Sequence, residues 1–201
     1  MAFPVQRLRR LRTTAPLRAM VRETRLDASD FILPVFVGTQ ADCSLPMPGL
    51  AGSRLLSGKP LAEFAKRAAD AGIPALLLFG IVEDEAKDSA ASIACGEKGP
   101  VQEALRQLKD TVPELVLIAD LCLCEYTADG HCGVLVEGRI DNDATLERIG
   151  VMSATFARAG ADVIAPSAMM DGMVATIRRS LDDGGFRDVC VMPYSAKFAS
   201  G

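Results

Sequence analysis

Residues 115–133 read L-V-L-I-A-D-L-C-L-C-E-Y-T-A-D-G-H-C-G. The opening run, Leu115 to Ala119, is apolar without interruption, the pattern of a parallel strand buried on both faces. Asp120, Cys122 and Cys124 then fall where the strand emerges into a loop, which is where α/β proteins place their chemistry. The stretch also holds Cys132 and the single histidine of the chain, His131. A C-x-C pair followed by a third cysteine can gather three thiols around one metal ion. Thiolates are soft ligands, and three protein ligands leave a fourth position open, so the spacing points to a catalytic Zn2+ held by Cys122, Cys124 and Cys132. The alternative is a set of loop cysteines, with or without a disulfide. Cys122 and Cys124 are poor disulfide partners, because in extended chain their side chains point the same way about 7 Å apart. Either could still pair with Cys132. His131 is read as a hydrogen-bonding loop residue rather than a ligand.

Working outward, one theme repeats: an apolar run, small or polar residues, then a helix-period segment. Strands are expected at residues 31–37, 75–79, 115–119, 163–165 and 189–192, and helices at 61–71, 102–110, 143–159 and 173–182. Asn142 or Asp143 supplies the start signal of the third helix, while Gly72, Gly160 and Gly184 close helical segments. Alternating strands and helices imply a parallel sheet, either a barrel or an open doubly wound sheet. The barrel is favoured because Asp120, Ser167 and the Ser195/Lys197 pair sit at the carboxyl ends of successive strands, as if meeting at one mouth. No G-x-G-x-x-G follows the first strand, which argues against a dinucleotide fold. A (β/α)8 barrel typically takes about 250 residues. Only about its first five strands are expected in these 201 residues.

Composition bounds the class. Apolar content of 49 % and charged content of 24 % are those of an ordinary globular chain, long enough for one substantial core. No apolar stretch reaches the roughly 20 residues of a membrane span, and no signal-peptide pattern opens the chain. Scattered cysteines without a secretory signal suit a reducing, cytoplasmic setting, where a cysteine cluster is better explained by metal or catalysis than by disulfides. Cys43, Cys95 and Cys190 stand alone and are read as buried or incidental thiols. The net charge of −4 gives no general attraction to nucleic acid. Arg7, Arg9, Arg10, Arg12, Arg18 and Arg22 all precede the first acidic residue, Glu23. Without interleaved aromatics, and with Pro4 and Pro16 breaking any long helix, residues 1–29 are read as a solvated or subunit-contacting arm. Residues 30–201 form the partial barrel.

Lys197 closes the last strand among small and apolar neighbours, Ala196, Phe198 and Ala199. Burial disfavours the ammonium and leaves an amine able to attack a ketone, forming a Schiff base. A lysine merely snorkelling from a strand end is the competing reading.

Taken together, D-L-C-L-C-E-Y-T-A-D-G-H-C-G (120–133), A-P-S-A-M-M-D-G (165–172) and Y-S-A-K-F-A-S (194–200) resemble the δ-aminolevulinic acid dehydratase (porphobilinogen synthase) family. R-R-L-R, V-R-E-T, M-P-G, L-L-F-G and D-N-D-A-T-L extend the likeness, in order, from about Arg7 to Ser200. The resemblance implies a (β/α)8 lyase of tetrapyrrole (haem) synthesis that condenses two molecules of 5-aminolevulinate to porphobilinogen. It implies that Cys122, Cys124 and Cys132 hold the active-site Zn2+ of the cysteine-rich branch. Lys197 would engage the ketone of one substrate, Asp120 would be an active-site carboxylate, and Ser167 a substrate-pocket residue. The Arg-rich start is similar to the arm that joins subunits of a homo-octamer. Other branches of the family replace these cysteines with aspartate and use Mg2+, and an additional Mg2+ is not readable from this sequence. Two rivals are carried: a class I, lysine-dependent aldolase, which would need no metal, and a non-catalytic zinc-binding half-barrel. The family's second Schiff-base lysine, its F-Y-G-P-F-R segment and the last three strands have no counterpart here. The barrel is therefore expected to be open and the chain alone to be weak in catalysis.

Overall fold

The computed structural model describes residues 4–195, so Lys197 lies outside the described residues. The arm begins with a 3-10 turn over Leu8–Arg12 and continues into the six-residue helix α1 (Ala15–Met20). Thr14 caps α1 by accepting from the Leu17 N–H at 3.3 Å, and Pro16 sits in the first turn. Pro16 thus opens a helix instead of interrupting one, since its missing N–H has no partner there in any case. The arm's apolar side chains stay in the open, with Leu8 76 %, Met20 79 % and Leu26 77 % exposed.

Beyond the arm, β1 (Ile32–Val37) is followed by a short antiparallel pair, β2 (Ser44–Pro46) and β3 (Arg54–Leu56). The βα alternation then runs α2 (Gly58–Asp70), β4 (Ala75–Gly80), the single-turn α3 (Ser92–Cys95), α4 (Pro100–Thr111) and β5 (Val116–Leu121). A small hairpin, β6 (Leu135–Val136) and β7 (Arg139–Ile140), precedes α5 (Asn142–Ala159), β8 (Val163–Pro166), α6 (Met173–Asp183) and β9 (Cys190–Val191). The five long-range parallel strands match the expected ones in place and type.

Strand order across the sheet is β2-β3-β1-β4-β5-β8-β9. From β1 to β9 the strands lie side by side in chain order with no reversal, as in a barrel wall; a doubly wound sheet has a switch point. Helices α2 and α4–α6 cover one face. Val35, Val37, Leu76, Leu78, Leu117, Ala119, Leu121 and Ile164 join buried residues of α2, α4, α5 and α6 in the main core. The opposite face carries a thin apolar cluster of Ala75, Ile118 and Ala165 flanked by Leu77 and Val163, with no helix residue in it. Full coverage of both faces is therefore not what the structure shows. Ile32, Val116 and Met192 on the uncovered side are 42 %, 39 % and 38 % exposed. Strands apolar on both faces are what a barrel needs, since one face meets helices and the other meets the opposite strands. Among the described residues the sheet ends at β2 and β9 without closing.

Details of the boundaries shift by up to three residues, as at the start of α2. The cap of α5 is Asp141, whose Oδ1 accepts from the Ala144 N–H at 2.9 Å, so the start signal lies just before Asn142 and Asp143. Gly160 closes α5 in the left-handed conformation, φ 109°. Gly184 caps α6 as well, in the right-handed conformation, and the left-handed Gly185, φ 85°, follows it.

Candidate metal centre

Strand β5 runs past Ala119 to Leu121, so Asp120 is a strand residue opposite Ala165 of β8 and not the first residue of the loop. Its side chain falls on the uncovered face, where it is 4 % exposed. Ser167, at the end of β8, donates through Oγ to Asp120 Oδ2 at 2.9 Å. Parallel pairing brings the two together, since the Ser167 N–H bonds the Leu121 carbonyl at 3.2 Å. β9 extends the same ladder, with the Tyr194 N–H on the Pro166 carbonyl at 3.2 Å. The Tyr194 phenol hydrogen-bonds Asp120, and burial together with that carboxylate raises the phenol well above its ordinary value. Tyr194 was not singled out from sequence, although it stands in the same Y-S-A-K segment as Lys197. Below it a cavity of about 480 Å³ opens over the uncovered face, lined by Ile32, Pro34, Leu77, Phe79, Met192 and Tyr194 among others.

The cysteines converge because the chain does not stay extended. The Leu123 carbonyl accepts from the N–H groups of both Tyr126 and Thr127, at 2.9 Å each, so the backbone coils back immediately after β5. That turn removes the separation expected of an extended C-x-C. The return leg is pinned in its turn. Thr127 Oγ1 donates to the His131 carbonyl at 2.9 Å, the His131 N–H donates to Asp129 Oδ1 at 2.9 Å, and the Val134 N–H donates to Thr145 Oγ1 of α5 at 3.0 Å. Gly133 fits because a Cβ there would approach Ile140 Cγ2 at 2.7 Å and Thr145 Oγ1 at 2.9 Å. The ligand atoms of Cys122, Cys124 and Cys132 consequently lie within 4.8 Å of one another. None of the six cysteines is in a disulfide. His131 is exposed and takes part through its backbone.

Charge in this pocket is one-sided. A hydrogen bond with Cys122, burial and the nearby Glu125 carboxyl hold the Cys124 thiol well above its ordinary value. Burial, then Asp120 and Cys122, push Glu125 up to about 8. Three thiols and two carboxyl groups this close disfavour one another's ionisation, and a dication would relieve that repulsion. Three soft sulfurs at one point make a donor set suited to zinc.

Tyr126 anchors the turn from behind. Its ring is 1 % exposed, and its phenol oxygen occupies the space a Cβ on Gly80 would need, with Val101 Cγ2 at 2.9 Å on the other side. Gly80→Ala is therefore expected to lower stability by about 3 kcal/mol, the upper range for overpacking a core. A urea unfolding midpoint unchanged from the parent would show that the turn yields to the extra methyl.

A family model described as delta-aminolevulinic acid dehydratase matches residues 5–201. The chain is 48 % identical to the delta-aminolevulinic acid dehydratase of Synechococcus elongatus over 98 % of its own length and 61 % of the relative's. It is 47 % identical to that of Escherichia coli, over 98 % of this chain and 60 % of the relative. Among solved structures it is similar to Toxoplasma gondii delta-aminolevulinic acid dehydratase (porphobilinogen synthase) in complex with the reaction product porphobilinogen. That similarity has a TM-score of 0.94 and 39 % identity, over 99 % of this chain and 57 % of that one. The chain thus spans about three-fifths of the length of the curated relatives it matches.

Proposed function

The chain belongs to the delta-aminolevulinic acid dehydratase family, and from that premise we propose that it carries the zinc-binding and first Schiff-base part of a porphobilinogen synthase site. The observation behind this reading is the thiol triad Cys122, Cys124 and Cys132, which directly follows the strand bearing the Asp120–Ser167 pair. The reaction is a lyase condensation of two 5-aminolevulinate molecules with loss of two waters. Zinc held by the triad would supply a Lewis acid at an open coordination position.

The remaining roles fall to the chain's own residues. The Lys197 amine attacks the ketone carbon of one substrate; a C=N bond forms and the carbonyl oxygen leaves as water. The resulting iminium acidifies the neighbouring carbon. Asp120 moves that proton, its carboxylate held in place by the Ser167 and Tyr194 hydroxyls. Ser167 also faces the substrate pocket. Holding both ketoacids at one mouth turns a bimolecular condensation into an intramolecular one. Residues 1–29 act as an arm, and its exposed Leu8, Met20 and Leu26 suit burial against another copy in a homo-octamer. We place the reaction in the cytoplasm; no helix among the described residues is long and apolar enough to cross a membrane.

A metal-free aldolase is disfavoured by the convergence of three thiols, whereas a non-catalytic zinc-binding half-barrel differs only in turnover. The test is porphobilinogen formation from 5-aminolevulinate. The chain alone should form little, because its sheet is open on the side where substrate would sit. Fused to the part of the Escherichia coli relative that it does not span, it should turn over in a zinc-dependent way. A fusion that folds and takes up zinc yet leaves 5-aminolevulinate unchanged would overturn the reading.

A further inference from the structure

The loop after β4 reaches across to the turn that carries the thiols. Asp88 and Thr127 form an isolated parallel bridge. The Asp88 N–H donates to the Tyr126 carbonyl at 3.3 Å, and the Asp88 carbonyl accepts from the Ala128 N–H at 3.3 Å. The segment gripped in this way, residues 126–128, lies between Cys124 and Cys132 and sets how far apart they stand.

The Asp88 side chain fixes its own loop. Its Oδ1 accepts from the backbone N–H groups of Ala90 at 2.8 Å and Ser92 at 3.0 Å. Between those donors, Ala91 is fully buried and left-handed, φ 50°, a conformation that a residue bearing a Cβ seldom adopts unaided. Ser92 opens α3, whose Cys95 thiol donates to the Arg148 carbonyl of α5 at 3.7 Å. The loop is thus tied at one end to the helix layer and at the other to the thiol turn.

We propose that Asp88 is a positioning residue of the metal centre: its carboxylate locks the 88–92 turn, and the locked backbone holds residues 126–128 so that Cys124 and Cys132 meet Cys122. The proposal rests on reading the three thiols as metal ligands. The role is one of hydrogen-bond geometry and not of charge, since the carboxylate is exposed and an amide oxygen accepts the same two bonds. Asparagine therefore serves at this position and alanine does not.

Cobalt(II) titration of the reduced 201-residue chain, followed by thiolate-to-cobalt charge-transfer absorption, reads the centre directly. Asp88→Ala is expected to bind cobalt about tenfold more weakly, the scale seen when outer partners of metal ligands are lost. Asp88→Asn should bind within about twofold of the parent, with the same band. Parent-like affinity in Asp88→Ala, or an Asp88→Asn as weak as the alanine variant, would overturn the role. If Asp88→Ala does not fold, Asp88→Ser replaces it, since its shorter hydroxyl makes these turn bonds more weakly than an amide oxygen: weaker binding than Asp88→Asn supports the role, and equal binding removes it. Absence of the charge-transfer band in the parent protein would instead reject the thiol-triad reading itself.

Discussion

Cys124→Ala is expected to empty the metal centre. The parent chain should carry one zinc per molecule after dialysis, and the variant should lose most of it, with affinity falling on the order of a hundredfold or more. The magnitude follows from position: losing an outer partner of a ligand already costs about 10–100-fold, and in the proposed centre Cys124 would supply a ligand sulfur itself. Its loss leaves two thiols, which bind a dication more weakly and hold more water on it. The fold should survive, because the Cys124 side chain is only partly buried and the turn is made by backbone bonds to Leu123. Cys190→Ala is the control, since that exposed thiol lies outside the triad and should keep its zinc. Metal analysis under reducing conditions decides the matter. Equal zinc in parent and Cys124→Ala, or none in either, would sink the assignment.

The second large effect is expected at Lys197. Borohydride reduction in the presence of 5-aminolevulinate should add the reduced ligand's mass to the peptide containing Lys197, and Lys197→Ala should abolish the adduct. Competing lysines are poorly placed. Lys87 and Lys109 are ion-paired to Asp84 and Asp162 at 2.7 and 2.6 Å, and Lys59, Lys66 and Lys98 are exposed to water. A Schiff-base lysine needs its amine neutral, which burial favours and an ion pair opposes. Tyr194 and Ser195, which lead directly to Lys197, line the cavity over the uncovered face where Asp120 also points. Label on a different lysine of the folded protein would transfer the role there.

The parts of this fold that were legible in the sequence are those specified by local patterns. L-V-L-I-A and its counterparts are short continuous apolar runs bounded by turn residues, and their alternation with helix-period segments marks them as parallel strands. The helices between them are marked by period and by closing glycines, with Gly160 and Gly184 capping α5 and α6, and the start of α5 moved because a hydrogen bond chooses Asp141 over Asn142 as its cap. The short elements escaped. β6 and β7 are two residues each, joined by Glu137 and Gly138, both at positive φ. That is a two-residue primed turn whose Glu-Gly pair is a weaker signal than Asn-Gly. The pair β2 and β3 is too short for its period to stand out.

Residue types and near neighbours in the chain fix the parallel (β/α) order, the three cysteine sulfurs at residues 122, 124 and 132, and the place of Asp120 and Ser167 near successive strand ends. Tertiary packing sets helices α2 and α4–α6 on one face, turns Asp120 to the other and brings Tyr194 to it there. Only the structure showed that Cys122, Cys124 and Cys132 meet. The reason is physical: spacing along an extended chain keeps Cys122 and Cys124 apart. The backbone bonds to Leu123, Tyr126 wedged against Gly80, and the distant grip of Asp88 on residues 126–128 bring the thiols together. Gly80 and Asp88 lie far from the cysteines in the chain and become their neighbours only when β4 and β5 pair.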